Sequence, residues 1–159
     1  MQPKFVADGM LGSLARKLRL YSLDVLYFPD LPDRELLEKS KAEGRVLLTS
    51  DRELHLQALR RGVSCVLVSG KDEASMAAQV FAGAGVSPVL DVASARCPLC
   101  NGEVLAVGRE DVAGVVPPGV LARQKRFYRC SSCQQLYWEG SHWFRLSKFH
   151  EEVREAMKI

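Results

Sequence analysis

Two pairs of cysteines, each with the spacing Cys-x-x-Cys, constrain the last third of this 159-residue chain more than any other feature. The four residues are Cys97, Cys100, Cys130 and Cys133. Four thiolates at this spacing complete the tetrahedral coordination of Zn²⁺ and leave no open position, which is typical of a structural zinc site. The sequence therefore predicts a zinc ribbon. The 29 residues between the pairs are expected to form a hairpin with an extended loop at 117–119.

The cysteine count also favours metal over disulfides. Five is an odd number, and the N-terminal residues lack the pattern of a secretion signal, so a disulfide framework is not expected. The fifth residue, Cys65, lies in an apolar segment and is expected to be a buried core thiol. No stretch approaches the roughly 20 apolar residues that a membrane-spanning helix needs. We therefore expect a cytoplasmic protein without a membrane partner.

Short apolar segments alternate with amphipathic segments over the first half of the chain. The predicted strands cover 4–8, 24–28, 45–49 and 63–68, and the predicted helices cover 10–20, 34–42, 53–61 and 73–82. Strands that are apolar throughout and separated by helices are typical of a buried parallel sheet with helices on both faces. The sequence predicts an α/β domain over residues 1–92. Residues 93–159 are expected to form the zinc ribbon and a short C-terminal helix from about residue 146.

Aspartates end two of the predicted strands and open one of the predicted helices. Asp8 follows the first strand, Asp51 follows the third, and Asp33 stands at the N-cap position of the second helix. The carboxyl ends of parallel strands meet at one edge of a sheet, so Asp8 and Asp51 are expected to converge there. Clustered carboxylates repel one another unless a cation neutralises them, and Mg²⁺ or Mn²⁺ suits such oxygen ligands. The alternative is structural, because an aspartate after a strand is often a turn former or an N-cap, and Asp33 could be only that.

Basic side chains are concentrated toward the end of the chain. Acidic and basic residues balance over residues 1–95, so the net charge of +3 belongs to residues 96–159. The candidates for contacts with RNA phosphates are Arg16, Arg52, Arg123, Lys125 and Arg126. Aromatic residues follow the basic segment 123–126, and this mixture suits single-stranded RNA. The alternative is ordinary solvated surface, which is the environment expected for Lys17 and Arg19.

The aromatic residues of the ribbon also have a structural interpretation. A zinc module of this size must use aromatic side chains to pack against its neighbour, and this role is expected for Trp138 and Trp143. The sequence does not decide whether His142 carries a proton or is an ordinary polar residue.

Three motifs occur in order along the chain and belong together. They are Phe5-Val6-Ala7-Asp8-Gly9-Met10-Leu11-Gly12-Ser13-Leu14-Ala15-Arg16-Lys17-Leu18-Arg19, then Gly44-Arg45-Val46-Leu47-Leu48-Thr49-Ser50-Asp51-Arg52, and, after the paired cysteines, Tyr137-Trp138-Glu139-Gly140-Ser141-His142. Over nearly its whole length the chain resembles the Mut-seven C-terminal ribonuclease domain family, a PIN-like nuclease domain joined to a zinc ribbon. The resemblance implies a PIN-like fold and endonucleolytic, Mg²⁺- or Mn²⁺-dependent hydrolysis of RNA. By matching positions, it implies that Asp8, Asp33 and Asp51 are catalytic and that Asp8 and Asp51 hold the metal.

The sequence departs from the PIN pattern at one acid. PIN domains generally carry a further glutamate on a helix before the acid that corresponds to Asp33, and nothing between Leu20 and Asp30 replaces it. Either three acids suffice, or Asp30 or Glu53 substitutes, or activity is weakened. A second interpretation is therefore a non-catalytic RNA-binding or ribosome-associated module, and a third treats the ribbon as a protein-docking element. The sequence leaves open the RNA target, the oligomeric state and whether an inhibitory protein partner exists.

Overall fold

The computed structural model describes residues 2–158, apart from the side chains of residues 141–144, and its larger sheet has four parallel strands. The strands β1 (Phe5–Ala7), β2 (Val25–Tyr27), β3 (Val46–Thr49) and β4 (Cys65–Leu67) lie in the order β2-β1-β3-β4. Each is followed by a helix: α1 (Gly12–Leu20), α2 (Asp33–Glu43), α3 (Arg52–Arg60) and α4 (Glu73–Ala84). The predicted α/β class, a PIN-like parallel-sheet sandwich followed by a four-cysteine zinc ribbon, is confirmed.

The ribbon is a smaller antiparallel sheet near the C-terminus. Its strands β5 (Val104–Val107), β6 (Phe127–Cys130) and β7 (Leu136–Trp138) lie in the order β5-β6-β7. The predicted hairpin corresponds to β5 and β6, but its loop holds two short helices, α5 (Arg109–Val112) and α6 (Pro118–Arg123), where an extended loop was expected. The last helix, α7, covers Ser141–Met157 and so begins earlier than the predicted residue 146.

The side chains of β1 show how both faces of the parallel sheet are buried. Successive residues of a strand point to opposite faces, and Phe5 packs into a cluster with α1, α4 and α7, whereas Val6 packs into a cluster with α2 and α3. Burial of one large apolar side chain contributes about 2 kcal/mol. The fully buried side chains include Leu18 and Phe81 on the first face and Leu36, Leu47 and Leu54 on the second. With both faces covered, the edges of the sheet are left for a site.

Helix α7 returns from the ribbon and packs on the α/β domain, mainly against α4. Its Phe149 joins the first core cluster, and Lys17 of α1 lies over the Phe149 ring while pairing with Glu73 of α4. Lys17 is therefore half-buried and ion-paired rather than simply solvated, as the sequence had suggested. His150 of α7 adds a hydrogen bond of 3.1 Å between its Nδ1 and the hydroxyl of Tyr21.

The ribbon has a core of its own, formed by Val112, Val116 and Phe127. Trp138 packs against this core of the ribbon itself, whereas packing against the neighbouring domain was expected. The side chains of Trp143 and His142 lie outside the described residues. No helix in the described part of the chain is both long and apolar enough to cross a bilayer.

Candidate functional site

Asp8 lies directly after β1 and is buried, with 7% of its surface exposed. Both of its carboxylate oxygens accept hydrogen bonds: Oδ1 from the backbone N–H of Met10 at 2.7 Å, and Oδ2 from the hydroxyl of Thr49 at 2.6 Å. A charged acceptor makes such bonds short and strong. The carboxylate is therefore held in one orientation at the carboxyl edge of the sheet.

Asp51 follows β3, the strand paired with β1, and caps α3. Its Oδ1 accepts hydrogen bonds from the backbone N–H groups of Glu53 and Leu54 at 2.9 and 3.3 Å. Its own backbone N–H donates to the Thr49 hydroxyl at 3.0 Å. Asp51 is exposed, so it combines the structural role of an N-cap with a position facing solvent at the same edge as Asp8.

Thr49 joins these two acids and was not singled out from the sequence. It has no exposed surface, and its single hydroxyl donates to Asp8 and accepts from the Asp51 backbone. The only sequence signal for it is its place in the run Thr49-Ser50-Asp51. Thr49 thus links the Asp8 carboxylate to the backbone of Asp51, and in this way it sets the position of one acid relative to the other.

Asp33 is the first residue of α2, and the N-cap position belongs to Pro32, which has no side-chain cap hydrogen bond. The predicted N-cap role of Asp33 is therefore wrong. Although Asp33 is exposed, partial desolvation, followed by the negative charges of Asp51, Asp8 and Glu53, raises the pKa of its carboxyl group. The structure thus brings Asp33 into the electric field of the two strand-end acids and adds Glu53 to the group. Asp30 is exposed in the loop before α2.

Two glycines let the segment after Asp8 lie close to the end of β2. A Cβ on Gly9 would lie 2.6 Å from the backbone oxygen of Pro29, and one on Gly12 would lie 2.8 Å from the hydroxyl of Tyr27. The same Tyr27 hydroxyl donates to the Gly9 carbonyl at 2.8 Å. A side chain at Gly9 would collide with the backbone of Pro29, and one at Gly12 would collide with the Tyr27 side chain, which explains why glycine occupies both positions.

The four paired cysteines form the second candidate site. Their Sγ atoms all lie within 4.8 Å of one another, with 3.7 Å between Cys97 and Cys133 and 3.4 Å between Cys100 and Cys130. Four sulfur atoms bound to one tetrahedral Zn²⁺ at about 2.3 Å would be about 3.8 Å apart. The group could therefore hold a metal ion such as zinc. Among the described residues, no other set of three or more potential ligand residues brings its ligand atoms this close together.

The backbone around each cysteine pair has the same turn. Asn101 and Gln134, each directly after the second cysteine of a pair, have φ angles of +71° and +67°. At the second pair, the backbone N–H groups of Ser132 and Cys133 donate to Cys130 Sγ at 3.4 and 3.5 Å. Burial opposes ionisation of Cys130, but these N–H groups and the neighbouring thiols outweigh it and lower its pKa to about 7. A thiolate is the form that binds a metal.

The first cysteine pair is fastened to the amino edge of the parallel sheet. Asn101 accepts a hydrogen bond from the backbone N–H of Val25 at 3.0 Å and donates one to Asp24 at 2.8 Å. Arg19 donates to the carbonyl oxygens of Val25 and Pro98 at 2.9 and 2.7 Å. Arg19 is buried, with 5% of its surface exposed, so its predicted position on a solvated helix face is wrong. Its guanidinium is buried between β2 and the first cysteine pair because it donates hydrogen bonds to a carbonyl on each side.

The five predicted phosphate-contacting residues are all exposed, and they lie on three separate elements or segments of the chain. Arg16 is on α1 and Arg52 opens α3 directly after Asp51, so both belong to elements that begin beside the acids. Arg123 is at the end of α6, and Lys125 and Arg126 precede β6 in the ribbon.

A family model described as the Mut7-C RNAse domain matches residues 3–150 of the chain. The match includes both the acids at the carboxyl edge and all four paired cysteines. No curated protein and no solved structure gives a significant match to the sequence or the fold.

Proposed function

This chain belongs to the Mut7-C RNAse domain family, and from that membership we propose that it is a metal-dependent endoribonuclease acting at the carboxyl edge of its parallel sheet. One observation carries the proposal. Asp8 and Asp51 follow the paired strands β1 and β3, and the Thr49 hydroxyl is hydrogen-bonded to both residues, so the two acids are held together at the carboxyl edge of the sheet. Partial desolvation, followed by the charges of Asp51, Asp8 and Glu53, also raises the pKa of the exposed Asp33 carboxyl. Acids that repel one another in this way at a sheet edge favour a divalent cation, which relieves the repulsion.

The surroundings of each acid suggest its role. Asp8 is buried and fixed by two hydrogen bonds, so it would be the central ligand of a Mg²⁺ or Mn²⁺ ion. Asp51 uses Oδ1 to cap α3, and we propose that its Oδ2 faces the ion. Asp33 is exposed at the start of α2. It would orient the attacking water or the other ligands of the metal ion. The bound ion would supply the activated water and neutralise the leaving oxygen.

Glu53 is our proposal for the fourth acid. It lies two residues after Asp51 in the first turn of α3, and its charge acts on Asp33. Its backbone N–H is held by Asp51 Oδ1, which fixes the start of its side chain near the group. Glu53 thus replaces, from a different helix, the glutamate that the PIN pattern places between β1 and Asp33.

The other cofactor and the RNA contacts follow from the same scheme. We propose that the four cysteines hold structural zinc, since all four positions of a tetrahedral ion would be filled by protein sulfur. Arg16 and Arg52 would contact the phosphates next to the cut, and Arg123, Lys125 and Arg126 would hold RNA on the ribbon. The division into an α/β domain of residues 1–92 and a ribbon of residues 93–159 remains part of the proposal.

The deciding experiment is cleavage of a fluorescent single-stranded RNA by zinc-loaded protein with Mn²⁺, with Mg²⁺ and without either ion. We expect cutting only with a divalent ion and a loss of at least a hundredfold in Asp8→Asn and in Asp51→Asn. Asp91→Asn is the matched control, because Asp91 also caps a helix with its side chain and is exposed, and asparagine caps as well as aspartate. Full activity in both Asp8→Asn and Asp51→Asn would refute the proposal.

A second candidate function is an RNA-binding module without catalysis. The observation that favours it is that, in the described part of the chain, the acids do not form a group with all ligand atoms within 4.8 Å, whereas the cysteines do. RNA binding that is unchanged by Mg²⁺ and by Asp8→Asn, together with no cleavage under any ion condition, would select this candidate.

A further inference from the structure

A cavity of about 450 Å³ lies between the ribbon and the amino edge of the α/β domain. Its ribbon wall is formed by Val104, Tyr128 and Tyr137, and the two tyrosines are directly opposite one another on β6 and β7. Leu20, at the last residue of α1, and Leu146 of α7 line the other side. None of the acids at the carboxyl edge lines this cavity, so it is distinct from the proposed reaction site.

The lining of the cavity suits a planar heterocycle. Its volume falls in the range of small-ligand sites, and such sites combine apolar walls with a few polar groups. The polar side chains are those of Arg96, Gln135 and Glu139, which together offer hydrogen-bond donors and acceptors. Glu139 would repel a phosphate but would accept hydrogen bonds from the N–H groups of a base. Tyr128 and Tyr137 line the same cavity, and stacking on aromatic rings is the usual way in which proteins hold an unpaired base.

Helix α1 connects this cavity with the acids. Gly12, Arg16 and Leu20 recur at intervals of four residues, so they lie on one stripe of the helix. Gly12 is beside the end of β2 near Asp8, Arg16 is exposed in the middle, and Leu20 lines the cavity. The nine residues of α1 span about 13 Å, which corresponds to about four nucleotides of a stacked strand.

We infer that the cavity binds one unpaired nucleobase of single-stranded RNA and that Arg16 contacts the phosphates between this base and the acids. The inference rests on the proposed ribonuclease function for the choice of RNA as ligand. It assigns the α/β–ribbon junction the role of selecting an unpaired base, and it predicts that cuts fall at a fixed, short distance from that base.

The test measures binding and needs no cleavage. Zinc-loaded Asp8→Asn protein is titrated with a fluorescein-labelled uridine decamer and with a ribose-phosphate decamer that lacks all bases, and anisotropy gives each affinity. We expect the base-containing decamer to bind about tenfold more tightly, as loss of one stacked base implies. Ala95 lines the cavity, so Ala95→Phe places a ring in it and is expected to abolish this preference. Ala93→Phe is the matched control. It should keep the preference, because Ala93 is exposed and does not line the cavity.

A competition experiment covers the case in which Ala95→Phe fails to fold. Free uridine monophosphate should then displace the decamer from Asp8→Asn protein at concentrations where ribose 5-phosphate does not. Equal affinity for the two decamers, or displacement by both small molecules alike, would overturn the inference. The inference would also be overturned if the protein is a dimer in solution and Ala95→Phe makes it monomeric, because a second copy of the chain would then occupy the cavity. Protein that cuts no RNA under any ion condition but retains the base preference would refute the proposed function and leave the base-binding part of this inference standing.

Discussion

Replacement of Thr49 by valine tests whether one hydroxyl aligns the two strand-end acids. Valine has nearly the same shape as threonine, so the fully buried side chain leaves no cavity behind. What is lost is the 2.6 Å bond to Asp8 and the 3.0 Å bond from the Asp51 backbone. Thr49→Val therefore removes hydrogen bonding at the site with little change in packing.

The expected destabilisation follows from these two bonds. A hydrogen bond to a charged acceptor contributes about 1.5–3 kcal/mol, and a neutral one contributes about 1 kcal/mol. Their sum is about 3 kcal/mol, which for a chain of this size corresponds to a fall in Tm of about 6–12 °C. Thr49→Ser keeps the hydroxyl and loses one buried methyl group, so its cost is about 1 kcal/mol, or about 2–4 °C.

The assay is thermal unfolding of zinc-loaded protein without added Mg²⁺ or Mn²⁺, followed by far-UV circular dichroism. Thr49→Val and Thr49→Ser are each combined with Asp8→Asn, so that the double-mutant cycle isolates the coupling between Thr49 and the Asp8 charge. A coupling of about 1 kcal/mol or more is expected for valine and close to zero for serine. If Thr49→Val costs no more than Thr49→Ser, the argument that this hydroxyl aligns the acids is refuted.

Three further predictions concern the ribbon and its junction with the α/β domain. Gly102→Ala should weaken zinc retention about tenfold in a chelator competition, because its Cβ would lie 2.9 Å from Cys130 Sγ. Asn101→Gly keeps the +71° φ angle but loses the side-chain bonds to β2, so Tm should fall by about 4–8 °C, for about 2 kcal/mol. Burial and the charge of Arg154 lower the pKa of His150. The unfolded state therefore takes up this proton first as pH falls below about 6.5, and Tm should drop more between pH 7 and pH 5 in the wild type than in His150→Asn.

Much of the α/β fold could be predicted because its signals are local. The alternation of apolar strands and amphipathic helices depends on neighbouring residues, and each strand of the parallel sheet lies within its predicted range. The start of α2 was misplaced by one position because Pro32, with its extended backbone, takes the N-cap that Asp33 was expected to occupy. The short helices α5 and α6 were missed because four to six residues give too little periodicity to recognise.

The part of the candidate site that lies at the ends of strands could be predicted from the sequence. Asp8 and Asp51 were expected at one edge because parallel strands end together, and the pairing of Ala7 with Leu48 brings those ends side by side. The contacts of Thr49 depend on that register between β1 and β3, which the sequence does not encode locally. The effect of the Glu53 charge on Asp33 depends on the approach of α2 to α3, so the sequence could offer Glu53 only as one alternative for the fourth acid.

The junction at Arg19 was mispredicted for a reason that also bears on function. Helical periodicity places Arg19 next to the buried Leu18, and its guanidinium donates to the carbonyls of Val25 and Pro98, which the local sequence around Arg19 does not reveal. The segment of the first cysteine pair thus contacts the amino end of β2, whereas Asp8 and Asp51 lie at the carboxyl ends of β1 and β3 in the same sheet. The junction at Arg19 therefore does not connect the ribbon directly with the acids. In the proposed function, the ribbon would act through the stability of the sheet and through RNA that is proposed to run along α1 from one edge to the other.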